Sequence, residues 1–157
     1  MINLRSDTVI KPTPGMLEAM FHAKVGDDVY GEDPAANRLK QKVAKFLGKE
    51  ASVFVSSGTM ANQLCLRAHT KLGDEVMVER ASHIFNDESG AAAALSGVQL
   101  HPLGVGRGIL YPEHIEGAIR NRDDYHLPIT RLICLENTHN RGGGAMYPPE
   151  VVKKFHK

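Results

Sequence analysis

The chain has 157 residues, 42% apolar and 24% charged, as in an ordinary soluble globular protein long enough for one domain that buries roughly two-thirds of its unfolded surface. Its formal net charge is +1, with acids and bases interspersed, so nucleic acid and anionic membrane surfaces are not expected partners. With two cysteines, no basic-then-apolar leader and no apolar run of membrane-spanning length, the expected setting is reducing and cytoplasmic, with a mitochondrial origin still open.

In chain order, Thr13 and Pro14 open a short helix carrying Met16, Leu17, Met20 and Phe21. Asp33 and Pro34 give a stronger start signal, an acid at the N-cap and proline at the first helical position. Leu39, Val43, Phe46 and Leu47 then recur at helical spacing until Gly48 ends the run. Residues 53–55 read as strand and 60–69 as helix, after which Gly73 and Asp74 turn the chain into a strand over 75–79. A helix over 86–95, a strand over 98–103, a helix over 112–119 and a strand over 131–136 follow, and Pro148 starts a last helix. Strands separated by helices need crossover connections, so the expected class is α/β, a mostly parallel sheet with helices on both faces. Ligands of such sheets sit beyond the carboxyl ends of the strands, where Ser57, Gly58, Thr59, His83 and Asn137 emerge. Residues 148–157 begin a helix with neither a capping glycine nor a following strand, which reads as a truncated fragment.

The junction at Ser57, Gly58 and Thr59 carries the most chemistry. An apolar strand turns there directly into a helix, whose first turn offers unpaired N–H groups and a partial positive charge. Gly58 allows close backbone approach, and Ser57 and Thr59 add hydroxyls, so the junction suits a phosphate. The same residues would also cap a helix in any α/β protein. Gly104, Gly106 and Gly108 are spaced by two and lack the longer gap of a dinucleotide fingerprint, so they read as a flexible turn. No Walker-type lysine follows Thr59, and no His-x-x-x-His or Cys-x-x-Cys pattern suggests zinc. Cys65 and Cys134 read as small apolar fillers, and His22, His69, His114 and His156 receive no role. His83 follows the 75–79 strand at the same sheet edge as the phosphate candidate. An imidazole there could stack on a flat ring or move a proton near neutral pH, or simply order its own loop.

Taken together, Leu4-Arg-Ser-Asp-Thr-Val9, Gly26-Asp-Asp-Val-Tyr-Gly-Glu-Asp-Pro34, Ser57-Gly-Thr-Met-Ala-Asn-Gln63, Ser82-His-Ile84, Leu95-Ser-Gly97 and Glu136-Asn-Thr-His-Asn140 resemble the L-threonine aldolases. These are pyridoxal 5'-phosphate lyases of the aspartate-aminotransferase fold group (fold type I), and the resemblance runs from Leu4 to about Glu150. It implies that residues 1–157 form the N-terminal part of the cofactor-binding large domain. Ser57, Gly58 and Thr59 match the phosphate cup. His83 matches the histidine stacked on the pyridine ring, and His126 matches a second histidine near the substrate hydroxyl. Ser6 matches a substrate-side serine, and Tyr30 a tyrosine that often reaches a neighbouring subunit's site. The implied reaction cleaves L-threonine or L-allo-threonine to glycine and acetaldehyde in a homodimer or homotetramer.

The resemblance also sets limits. The aspartate, lysine and arginine that anchor cofactor and substrate lie in a C-terminal half of the family domain beyond these residues, so the chain alone is expected to be inactive. The competing expectation is a non-catalytic remnant, or an interaction module pairing with an intact family member. Asp87 stands where an aromatic residue is usual, and Ile10 where threonine is usual. Asp87 is expected to add negative charge beside a pocket that already takes a phosphate.

Overall fold

A computed structural model of the chain describes residues 7–155, and the chain divides into two compact units, residues 1–54 and 55–157. In the first, helix α1 (Pro14–Phe21) begins where Thr13 Oγ1 accepts a hydrogen bond from the Met16 N–H at 3.3 Å. A 3-10 turn, Asp28–Tyr30, is capped by Asp27, which accepts from the Val29 N–H at 2.9 Å. Helix α2 (Pro34–Leu47) starts on Asp33, whose Oδ1 accepts from the Ala35 and Ala36 N–H groups at 2.8 Å each. Backbone hydrogen bonds from Ala36 and Gly26 lead in holding the Asp33 carboxyl below its ordinary value. Gly48, at φ 62°, ends α2 in the left-handed conformation that glycine adopts without a Cβ clash.

The second unit contains the sheet. Helix α3 (Gly58–His69) leads into strand β1 (Glu75–Glu79), followed by helix α4 (His83–Asn86), strand β2 (Gln99–Leu103), helix α5 (Pro112–Glu116), strand β3 (Thr130–Ile133) and helix α6 (Pro149–Lys154). The order is β2-β1-β3 and both pairings are parallel, with Met77 opposite His101 on one side and Ile133 on the other. All five residues of β1 are buried. Side chains alternate along a strand, so Val76 and Val78 face one core with Leu66, Ala92 and Val98, while Met77 faces the other with Leu110, Ile115, Tyr147 and Val151. Helices therefore cover both faces, as a parallel sheet requires.

Glu75 and Glu79 fall on the Met77 side and are buried with partners. Glu75 accepts from Arg120 Nε at 3.1 Å and from Thr130 Oγ1 at 3.0 Å, joining β1 to the entry of β3. His101 Nδ1 lies 3.1 Å from Glu75 at ion-pair distance, but without hydrogen-bond alignment. Burial raises the Glu75 carboxyl's pKa, but His101, Arg120 and Thr130 together outweigh it and leave a net lowering.

Four elements differ from expectation, one being β3, which ends at Ile133 instead of running to 136. Residues 53–55 join no ladder among the described residues; apolar, β-branched composition favours an extended chain but does not provide a hydrogen-bonding neighbour. The expected helix over 86–95 is interrupted, because Ser89 and Gly90 take φ 53° and 70° and no right-handed helix passes through them. What remains is α4 and a single π-helical turn, Ala92–Ser96, closed by Gly97 at φ 62°. Helix α5 stops at Glu116 instead of running to 119, with Gly117 as its C-cap.

Candidate functional site

Two loops leave the carboxyl edge of the sheet and meet. The loop after β1 ends in Ser82 and His83, and the loop after β3 carries Glu136 and Asn137. The backbone N–H of His83 donates to Glu136 Oε2 at 2.6 Å, and Glu136 Oε1 accepts from the Asn140 N–H at 2.8 Å. Beneath them lies a cavity of about 330 Å³ lined by Asn62, Cys65, Ser82, His83, Glu136 and Asn137. That is within the usual range for a small-molecule site. The Ser82 hydroxyl is buried there without a partner among the described residues, a polar group left for a ligand or water to satisfy.

The flank of α3 supplies the third wall. Asn62 Nδ2 donates to Glu88 Oε1 at 2.6 Å and Gln63 Nε2 to Glu88 Oε2 at 2.8 Å. His83 Nδ1 lies 3.0 Å from the same Oε1. The Glu88 side chain is fully buried, and the His83 ring is 45% exposed. The histidine is thus fastened at its backbone to one carboxylate and at its ring to another, with its remaining edge open.

At the start of α3, Ser57 is the N-cap, and its Oγ accepts from the Met60 N–H at 3.1 Å. Its own hydroxyl proton remains available to an anion. A Cβ placed on Gly58 would meet nothing within 4 Å, so the backbone there fronts open space. Ser57 and Thr59 line a hollow of about 450 Å³ with Met60 and Gln63. A phosphate at these N–H groups would be held by hydrogen bonds and by the helix dipole.

Asp87 is paired with Arg141, whose Nη2 lies 2.7 Å from Oδ1. The extra negative charge expected from Asp87 beside the pocket thus has a partner in the half-exposed guanidinium of Arg141. Burial pushes the Cys134 thiol up to about 11, so it lines the cavity as a neutral group, not as a nucleophile. Among the described residues no group of three or more His, Cys, Asp or Glu side chains could hold a metal ion.

The site residues named from the sequence are distributed unevenly. Ser57, Gly58, Thr59 and His83 stand on connected elements of the second unit, through α3 and Glu88. Ser6 lies outside the described residues. Tyr30 is exposed at the end of its 3-10 turn in the first unit. His126 is exposed in the loop before β3, on the amino side of the strand, with its ring 3.9 Å from that of Tyr125, and it does not line the cavity.

Sequence reasoning gave no role to Glu88, and it treated His139 only as part of a motif. His139 is fully buried, its Nε2 2.9 Å from Glu79 Oε2 and its Nδ1 accepting from the Gly142 N–H at 3.0 Å. Gly108 and Gly142 pack directly on its ring. The signal available in sequence was the pair of glycine runs, which leave room for a ring.

A parallel α/β sheet with a cavity at its carboxyl edge and a helix start able to take an anion is an architecture on which small-molecule sites are commonly built. Residues 3–157 match the beta-eliminating lyase family, and the chain belongs to that family. It is 44% identical over 155 residues to the low specificity L-threonine aldolase of Escherichia coli K12, covering 98% of this chain and 45% of that protein. With the low-specificity L-threonine aldolase 1 of Arabidopsis thaliana it shares 45% over 158 residues, 98% of this chain and 44% of that one. A protein of Cochliobolus carbonum named alanine racemase TOXG is 34% identical over 155 residues, 98% of this chain and 39% of its own. The chain thus spans less than half the length of these relatives. In fold, the Leishmania major threonine aldolase structure superposes with a TM-score of 0.81 at 22% identity, covering 94% of this chain and 43% of that one. No helix among the described residues is long and apolar enough to cross a membrane.

Proposed function

We propose that this chain is the phosphate- and ring-binding N-terminal part of a pyridoxal 5'-phosphate-dependent carbon–carbon lyase that cleaves L-threonine or L-allo-threonine to glycine and acetaldehyde. The observation that carries the reading is the link, through one helix, between the hollow at Ser57 and Thr59 and the cavity at His83. The helix that begins at Ser57, Gly58 and Thr59 is the same helix whose Asn62 and Gln63 grip the carboxylate holding His83.

The residues present fit the cofactor. The cavity has adequate volume, the Ser82 hydroxyl is unsatisfied, Gly58 fronts open space, and the nearby carboxylates Glu88 and Glu136 are already occupied by protein donors. Ser57, Gly58 and Thr59 would hold the phosphate and His83 would lie against the ring. When bound, the cofactor would supply an electron sink for the pair left at Cα by Cα–Cβ cleavage. His83 would orient the ring from one face and would accept the proton of the substrate β-hydroxyl at its free nitrogen. In this reading Ser6 contacts substrate and Tyr30 reaches the site of a second copy in a homo-oligomer. His126 is assigned to the hydroxyl as a second histidine on the resemblance alone, since its loop lies at the opposite sheet edge.

The test is acetaldehyde release from L-threonine by the protein as it occurs in the cell, with pyridoxal phosphate supplied. Cleavage that falls by about 10²-fold or more in His83→Ala supports the reading, in line with the usual contribution of a general base. Undiminished cleavage in that variant, or racemisation of alanine without threonine cleavage, overturns it.

A further inference from the structure

We infer that Glu88 is a positioning residue that fixes the tautomer of His83, holding the proton on Nδ1 so that Nε2 carries the lone pair toward the cavity. This deepens the proposed function and rests on it only for the use made of Nε2. A carboxylate accepts hydrogen bonds and donates none, so an imidazole nitrogen 3.0 Å from Glu88 Oε1 must present N–H to it. Neutral imidazole has a single N–H, and placing it at Nδ1 leaves Nε2 bare. Asn62 and Gln63 point their amide N–H groups at the same carboxylate from 2.6 and 2.8 Å, and the side chain has no exposed surface. Three donors in a buried setting fix the carboxylate's orientation, and through it the ring.

The backbone of His83 is held separately, by Glu136 Oε2 at 2.6 Å. Glu136 locates the residue, while Glu88 decides which nitrogen works. The device also explains why the phosphate-cup motif continues to Asn62 and Gln63. Those amides donate to Glu88, so the helix that starts at the phosphate candidate also supports the histidine.

The experiment needs neither cofactor nor substrate, so its failure would leave the aldolase reading standing, and the failure of that reading would leave this one. Nitrogen-15 spectra of the histidine rings, recorded where His83 is neutral and assigned with His83→Asn, distinguish a protonated from a bare ring nitrogen. The expected result is bare Nε2 in the unsubstituted chain and in Glu88→Gln. In Glu88→Met the ring should shift toward the Nε2–H form, which free imidazole side chains prefer. The glutamine variant should rescue because its carbonyl can face Asn62 and His83. Gln63, whose Oε1 has no partner, can then turn its amide to accept from the new NH2 group. A merely structural Glu88 would alter folding in both variants without switching the tautomer in one alone. A bare Nδ1 in the unsubstituted chain, or an unchanged tautomer in a folded Glu88→Met, overturns the inference. Should the methionine variant lose its folded amide fingerprint, the spectrum of the unsubstituted chain decides alone.

Discussion

The His139 ring occupies space that two glycines leave. Gly108 has φ 80°, and a Cβ there would run into the His139 ring, which is held by Glu79 on one nitrogen and Gly142 on the other. Both the backbone conformation and the contact resist a side chain. Gly108→Ala should therefore destabilise the second unit by roughly 2–4 kcal/mol, readable as a lower urea midpoint with an unchanged slope. Gly106→Ala is the control, since a Cβ there meets nothing within 4 Å. Equal midpoints for the two variants would show that the ring is not wedged as described. The buried His139–Glu79 pair thus belongs to the scaffold, and His83 to the proposed site. The sequence motif around Glu136 includes His139 but does not reveal this division of labour, because burial is invisible in a five-residue string.

At the scale of elements, α3 shows that a cap and a ligand site place different demands on adjacent residues. Ser57→Ala removes the hydroxyl that accepts from the Met60 N–H and should cost about 1 kcal/mol. Gly58→Ala replaces a helical glycine with the best helix former in open space, so stability should hold or rise by up to about 1 kcal/mol, while the added methyl group obstructs the phosphate. Thermal melts of both variants, beside pyridoxal phosphate titrations, separate the two effects; a Gly58→Ala chain that binds as well as its parent would remove the phosphate from that position. Helix starts such as Thr13, Asp33 and Ser57 were readable from sequence because capping is local chemistry. Strand β1 was readable because Gly73 and Asp74 announce it and its apolar centre is flanked by acids. Residues 53–55 and 86–95 were misread for opposite reasons. The first needs a ladder partner that no local pattern encodes. The second holds an alanine run whose helical propensity masks the reversal at Ser89 and Gly90. Glu88 sits beside that reversal, which explains why its place in the site was hidden.

For the whole molecule, β1 is the strand on which the sheet depends, and its Glu75 ties both neighbours to it. Because the folded carboxyl titrates below its ordinary value, its contribution to stability is fully present above the unfolded carboxylate range, near pH 4.3, and is lost as pH falls through the lowered folded value. Stability of the second unit should therefore fall with acid below about pH 4.3, and Glu75→Gln should flatten that slope in urea titrations between pH 3 and 6. A slope unchanged by the substitution would mean that Glu75 does not govern acid stability. Family membership and a parallel sheet follow from patterns that the sequence displays openly. The coupling of the α3 start to His83 through Glu88 does not, because it joins residues far apart in the chain. The most direct measurement on that coupled pocket compares pyridoxal phosphate with pyridoxal in equilibrium titrations of the purified chain. The account predicts that the phosphorylated form binds at least about tenfold more tightly, the equivalent of one charge-assisted hydrogen-bond set at a helix start. Equal affinity for the two would contradict it.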